Sequence, residues 1–206
     1  RDNTGEILDE LARLYPDHFR PVHHPVNRGY GGALRTGFAE ARHDWVFYTD
    51  GDGQYDVAEL PKLLREVRGD VALVNGYKIK RHDPWHRILI GAVYNQFARL
   101  IFGIRLRDID CDYRLIRRPV LERIRLTSTS GTICVELVKK IENLGVQVVE
   151  VPVSHQARIH GRSQFFRLRS LWQTYRQLIR LHRQLVLGPW LRSGCGLRRA
   201  AVREES

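Results

Sequence analysis

Methionine is missing altogether from these 206 residues, and lysine nearly so. A translated chain starts with methionine and a core of this size ordinarily uses several, so a sequence opening at Arg1 reads as a segment of a longer protein. Lysine holds only five (62, 78, 80, 139 and 140) of the 34 basic positions, which leaves 29 arginines and a net charge of +11. The planar guanidinium fork matches phosphate geometry, so this bias points first to a phosphate-bearing partner; a GC-rich coding sequence would produce the same bias. Cysteine is scarce as well. Cys111, Cys134 and Cys195 form no CxxC pair, which excludes a disulfide framework and a zinc knuckle and suits a reducing, cytosolic setting. No run approaches the ~20 apolar residues that cross a bilayer, and the opening residues lack a secretory-leader pattern. Finally, Asp and Glu vanish between Val151 and Arg203, a stretch that holds eleven arginines.

What is present is the composition of one ordinary domain, 43% hydrophobic and 28% charged, long enough to bury a core. Residues 3–15 read as a helix with Asn3 or Thr4 as cap and Ile7, Leu8, Leu11 and Leu14 in a stripe, closed by Pro16. "FRPVHHP" (19–25) reads as a short extended piece, and "NRGYGGALRTGFAEAR" (27–42) as a glycine-rich turn entering a helix. "WVFYT" (45–49), "DVALVNG" (70–76) and "VQVVEVPV" (146–153) read as strands; 60–67, 85–103 and 132–145 read as helices. This alternation predicts a mostly parallel sheet covered by helices. Beyond it, Leu168, Leu171, Trp172, Tyr175, Leu178, Ile179, Leu185 and Val186 share one helical face, with Arg167, Arg169, Arg176, Arg180 and Arg183 on the rest. That is either a basic amphipathic helix lying on a membrane surface or a helix packed back on its own domain.

The densest chemistry lies in "WVFYTDGDGQYD" (45–56), where an apolar run ends in Asp50, Asp52, Gln54 and Asp56. A strand's carboxyl end is where open α/β sheets bind ligands. Two carboxylates about 4 Å apart repel by about 4 kcal/mol at an effective dielectric of 20, so a cation between them or a retained proton is required. Oxygen ligands suit Mg²⁺ or Mn²⁺; the competing reading is a polar Asp-Gly turn. A calcium loop counted from Asp50 would need Glu at the position of Pro61 and is excluded. The glycines of 29–37 fit neither Gly-x-Gly-x-x-Gly nor Gly-x-x-x-x-Gly-Lys, so they are expected to serve a tight turn and close helix–strand packing.

"YTDGDGQYD" resembles the Asp-x-Asp region of family 2 glycosyltransferases, nearest to the dolichyl-phosphate mannose synthases and related polyprenyl-phosphate glycosyltransferases. Four further segments resemble that branch in the same order: "NRGYGGALRTGF", "VNGYKIKR", "RDIDCDYRLIRRPVL" and "EVPVSHQARIHGRSQF". The resemblance covers residues 1 to about 170. It implies a GT-A (Rossmann-like) domain over 1–165 that lacks its first strands, since "RDNTGEIL" resembles the piece after the family's second strand. The C-terminal basic amphipathic helix would span 166–190, and 191–206 is expected to be a disordered tail.

By the same resemblance, Asp52 and Gln54 would ligate Mg²⁺ or Mn²⁺. Asp50, Asp52, Arg158 and Ser163 would bind a nucleoside-diphosphate-sugar donor, and Lys78 and Arg87 would contact the acceptor phosphate, with Lys80 or Arg81 able to share the task. Lys78 departs from the usual arginine, replacing a fork by a point charge. Asp112 matches an acidic position taken as base in some relatives, so Asp50 and Asp112 are the catalytic candidates. Asp108, Asp110 and Asp112 read equally as acids that order their loop or pair with Arg105, Arg107 and Arg114. The implied activity is inverting sugar transfer to a polyprenyl phosphate by a peripheral protein at the cytoplasmic membrane face. The alternatives are transfer to a saccharide or protein hydroxyl in cell-envelope biosynthesis, an inactive fragment, and a basic nucleic-acid-binding protein. The charge suits the last, but the aromatics form no stacking platform, so no nucleic-acid partner is expected.

Overall fold

A computed structural model of the chain describes residues 3–81, 85–157 and 168–188, without the side chains of 80, 81, 86, 87 and 168–173. Four strands form one sheet in the order β1-β3-β2-β4: β1 Trp45–Thr49, β2 Val71–Arg81, β3 Tyr113–Arg117 and β4 Gln147–His155. β2 and β4 pair in parallel, and β3 runs antiparallel to both β1 and β2. The sheet is therefore mixed: three strands share a direction and β3 opposes them. β3 is a strand the sequence pattern does not reveal, because five residues with arginines three apart, at 114 and 117, show no period-2 alternation. Residues 19–25, expected to be extended, form no strand.

The reversed strand decides which loops meet. Thr49 pairs with Tyr113 and Asn75 with Arg114, so β3 begins at the edge where β1 delivers its carboxyl end, beside the middle of β2. The loop before β3 is thereby placed beside the residues that come after β1.

Neighbouring strand residues face opposite sides, which divides the core. Tyr48, Leu73 and Ile116 join one side with Ala98, Phe102, Val135, Leu137, Val138, Ile141, Leu178 and Leu181. These come from helices α4 (Trp85–Phe102), α6 (Thr132–Asn143) and α7 (Leu168–His182). Val74, Tyr113, Leu115, Val151 and Val153 join the other side with Leu63 of α3 (Leu60–Leu64). Helices α1 (Thr4–Leu14), α2 (Gly29–Glu40) and α5 (Arg118–Glu122) complete the set described.

α7 docks on the start of α6. Thr174, Leu178 and Leu181 are buried, and the Gln177 side-chain oxygen accepts from Ser130 Oγ and Thr132 Oγ1, each at 2.8 Å. The described part of the C-terminal helix thus packs Leu178 and Leu181 on its own domain, while Tyr175 and Ile179 remain exposed. The 191–206 tail lies outside the described residues.

The N-terminus of α2 presses on the loop before α6. Gly31 N donates to Thr129 O at 3.0 Å, Gly29 takes φ of 73°, and a Cβ at Gly31 would collide with the Ser128 carbonyl. The glycines serve a close approach of the helix, but their partner is the 128–129 loop and not the expected strand. That loop is held by the fully buried Glu136, whose carboxylate accepts from Thr127 N, Thr127 Oγ1, Ser128 N and Lys140 Nζ. Burial pushes this acid up, but Lys140 and the backbone donors outweigh it and hold it below the ordinary glutamate range.

Two glycines of α2 give opposite expectations. Gly31→Ala should destabilise by about 1–3 kcal/mol through the collision with Ser128. Gly37, exposed in mid-helix with no atom near its Cβ position, should stabilise by about 0.5–1 kcal/mol on replacement by Ala. Urea unfolding midpoints check both.

Candidate active site

β1 releases its chain at Asp50, whose Oδ1 accepts from the Tyr30 hydroxyl at 2.9 Å. Gly53 supplies φ of 73° for the turn beyond it, and Asp52 Oδ1 accepts from Gln54 N at 3.2 Å. Gln54 is buried and sewn to the end of β4: Gln156 N donates to Gln54 O at 2.7 Å, and Gln54 Nε2 donates to Gln156 O at 3.1 Å. Asp56 stands apart from the other acids. Its carboxylate caps the 3-10 turn Val57–Glu59 by accepting from Ala58 N at 2.9 Å, a structural duty at an exposed position.

The loop 108–112 arrives beside this turn. Asp112 N donates to the Tyr55 hydroxyl at 3.2 Å, which ties the acid loop to the acidic turn. Asp112 Oδ1 accepts from Tyr48 Oη at 3.1 Å and from Cys134 Sγ at 3.2 Å, and it lies 3.7 Å from Arg114 Nη1. Burial, and then the neighbouring Cys134, Asp112, Tyr48 and Asp50, push the Tyr30 hydroxyl far above its ordinary range, so it stays a proton donor. Asp50 and Asp112, far apart in sequence, therefore both bear electrostatically on Tyr30, Asp50 through a hydrogen bond. Arg105 and Arg107 do not pair with the loop acids; their backbone N–H groups donate to Glu142 and Glu150. Of the three arginines weighed, Arg114 is the one bound to this cluster.

Lys78 is nearly buried. Its Nζ donates to Asp110 O at 2.7 Å and lies 3.5 Å from Asp108 Oδ2, and the same carboxylate oxygen accepts from Lys78 N at 3.2 Å. The ammonium is thus built into the acid loop. It still borders a cavity of about 290 Å³, lined also by Ile88, Ala92, Asn95, Arg107 and Asp110. A larger cavity of about 760 Å³, between Arg105, Glu142 and Glu150, contains none of the expected site residues. Arg87 belongs to α4, but its side chain, like Arg158 and Ser163, lies outside the described residues. Tyr30, Tyr48, Tyr55, Cys134 and Gln156 are site residues that sequence reasoning passed over. A tyrosine inside a glycine-rich turn was the one signal on offer.

Against known proteins, residues 1–125 match glycosyl transferase family 2, and the chain belongs to that family. It is 33% identical over 178 residues to a polyprenol monophosphomannose synthase of Mycolicibacterium smegmatis, covering 79% of this chain and 65% of that one. It is 28% identical over 172 residues to an undecaprenyl-phosphate mannosyltransferase of Micrococcus luteus, covering 79% and 70%. Among solved structures it resembles the glucosyl-3-phosphoglycerate synthase of Mycobacterium tuberculosis in complex with Mn²⁺ and uridine-diphosphate-glucose. The TM-score is 0.59 at 17% identity, over 89% of this chain and 64% of that one. This likeness establishes a GT-A-like fold.

Asp110 makes the site pH-sensitive. Burial, then the balance of Lys78 lowering against Asp108 and Asp112 raising, with Arg114 lowering last, pushes its carboxyl up to about 7. The folded state then holds a proton that the unfolded state has already released above pH ~4. Its contribution to stability is fully present below pH ~4 and is lost as pH rises through about 7. Asp110→Asn should flatten the fall in unfolding free energy between pH 5 and 8, as read by urea denaturation at a series of pH values.

Proposed function

We propose that this chain carries the catalytic site of an inverting glycosyltransferase that moves a sugar from a nucleoside-diphosphate donor to a polyprenyl phosphate. One observation carries the reading. The turn bearing Asp50 and Asp52 is fixed at the carboxyl end of β1 by Gln54 and Gln156, and the Asp112 loop is fastened to it through Tyr55. The names of the two bacterial relatives support a polyprenyl phosphate as acceptor and mannose as a sugar to test first.

Among the described residues no three His, Cys, Asp or Glu side chains converge on a metal. The Asp52 carboxylate and the Gln54 amide are oxygen donors, which suit Mg²⁺ or Mn²⁺, ions that take their remaining ligands from water and substrate phosphates. Asp52 and Gln54 would hold the ion, with Asp50 alongside. When bound it would stabilise the negative charge that gathers on the departing diphosphate.

The protein's own groups account for the remainder. Tyr30 holds the Asp50 carboxylate in one orientation at the donor side. Tyr48 and Cys134 hold Asp112 in the same way. A lipid phosphate is largely ionised near neutral pH, its second pKa being about 6, so it attacks the anomeric carbon without surrendering a proton. Attack from the face opposite the diphosphate inverts that carbon. The described cations near this acceptor are Lys78 and Arg107 at their shared cavity; Arg87, Arg158 and Ser163 are assigned from sequence alone. Transfer to a saccharide or protein hydroxyl has one feature in its favour: Asp110 lines the cavity that Lys78 and Arg107 border, and burial pushes its carboxyl up to about 7, into the range of a general base.

Asp52→Asn should lower sugar transfer by about 10²-fold or more, whereas Asp56→Asn should leave it within a few-fold. Radiolabelled transfer from a panel of nucleotide sugars to a short-chain polyprenyl phosphate, with EDTA and with Mg²⁺ or Mn²⁺ restored, measures both. Metal-dependent transfer persisting in Asp52→Asn would refute the site. Transfer to a hydroxyl acceptor alone, lost in Asp110→Asn, would favour the second reading.

A further inference from the structure

α4 is apolar on both sides, an uncommon state for a helix covering one face of a sheet. Its inner side buries Ala98 and Phe102 and packs Tyr94 and Ile101 against the core. Its outer side carries Trp85, Leu89, Ile90, Val93, Phe97 and Leu100, between 47% and 76% exposed. At 3.6 residues per turn these six occupy about 140° of the circumference, one continuous stripe along the helix. Among the described residues no helix is long and apolar enough to cross a membrane, so the stripe suits a surface and not a span.

The charge around the helix narrows the partner. From Val71 to Arg107 the sequence has a single acid, Asp83, against Lys78, Lys80, Arg81, Arg87, Arg99, Arg105 and Arg107. An aliphatic stripe with Trp85 at its start, Phe97 within it and cations before and after it is complementary to an anionic bilayer surface. α7, the helix whose composition first suggested membrane contact, packs Leu178 and Leu181 on its own domain. The stripe also adjoins the acceptor side of the site: Ile88, Ala92 and Asn95 of α4 line the cavity that Lys78 and Arg107 border.

We propose that the outer face of α4 seats this protein on an anionic lipid bilayer, in the boundary between headgroups and acyl chains, and so presents the Lys78–Arg107 cavity to the membrane. The choice of a lipid partner rests on polyprenyl phosphate being the acceptor, and the test separates the two. The full chain is floated with vesicles of phosphatidylglycerol and phosphatidylcholine, and with phosphatidylcholine alone, neither containing polyprenyl phosphate. Wild type should float with the anionic vesicles and be released by salt. Leu89→Glu/Val93→Glu/Leu100→Glu should lower the bound fraction at least about tenfold, with an unchanged circular dichroism spectrum. Ile179→Glu on α7 should float like wild type. The proposal is overturned if wild type stays in solution or if the triple variant floats equally well. It is also overturned if sedimentation velocity shows the triple variant turning a dimer into a monomer while vesicle binding persists, which would make the stripe a contact between copies. Transfer to a water-soluble short-chain prenyl phosphate reports on the acceptor alone. Flotation without transfer therefore leaves the surface standing, and transfer without flotation leaves the acceptor standing.

Discussion

The guanidinium of Arg114 has no contact with solvent, and the site is arranged around making that tolerable. A buried cation without partners is prohibitively costly, so every donor needs an acceptor. Nε donates to Asn75 Oδ1 at 2.5 Å, Nη1 to the Tyr48 hydroxyl, Nη2 to Ile109 O, and Asp112 lies 3.7 Å away. Those partners come from β1, β2 and the loop before β3, and Arg114 itself belongs to β3. One planar fork reaches all of them at once, which a lysine's single ammonium could not. The direction of β3 follows the same logic: an antiparallel central strand brings its leading loop, and hence Asp112, to the edge where β1 delivers Asp50.

A second buried charge, of opposite sign, fixes the other acid. Glu136 is as inaccessible as Arg114, and its bonds to Thr127, Ser128 and Lys140 hold the loop that faces α2. Glycine at 29 and 31 lets the helix start touch that loop, and the residue between them, Tyr30, bonds Asp50. Asp112 is thus positioned from Arg114 and Asp50 from Glu136, through contacts that include Tyr30–Asp50, 20 residues apart, and Arg114–Tyr48, 66 apart. Neither acid depends on its own turn alone for its orientation.

Contacts at such separations limit what could be read from the sequence. Strand β1 and its acidic end were legible because the apolar run and the change to "DGDGQ" are local events. Helices α2, α4 and α6 were legible through their periodicity, and the family through motifs that are themselves local. β3 was not, since "YRLIR" resembles an exposed edge until one knows that Tyr48 and Asn75 await its arginine. The role of Lys78 was half legible: a cation at that place was expected, but its attachment to Asp108 and Asp110 arises from a loop 30 residues later. The arginine-rich C-terminal helix read either as a membrane-surface element or as a helix packed back on its own domain; its described part packs Leu178 and Leu181 on the domain and leaves Tyr175 and Ile179 exposed. Charge alone says nothing about whether an apolar face already has a partner.

α4 shows why that last distinction has consequences for chemistry. From the inner side of this helix, Asn95 accepts from Ile109 N at 3.0 Å and donates through Nδ2 to Arg107 O at 2.6 Å, bracing the start of the acid loop. From its outer side it offers the exposed stripe. A helix with its side chains is about 10 Å across, so whatever rests on the stripe lies one helix diameter from the loop that carries Asp108, Asp110 and Asp112. A long-chain acceptor could keep its hydrocarbon in a separate phase while its phosphate reaches a site built on the sheet edge. That geometry needs no moving lid, only a helix whose inner face is packed on the core and whose outer apolar face is exposed.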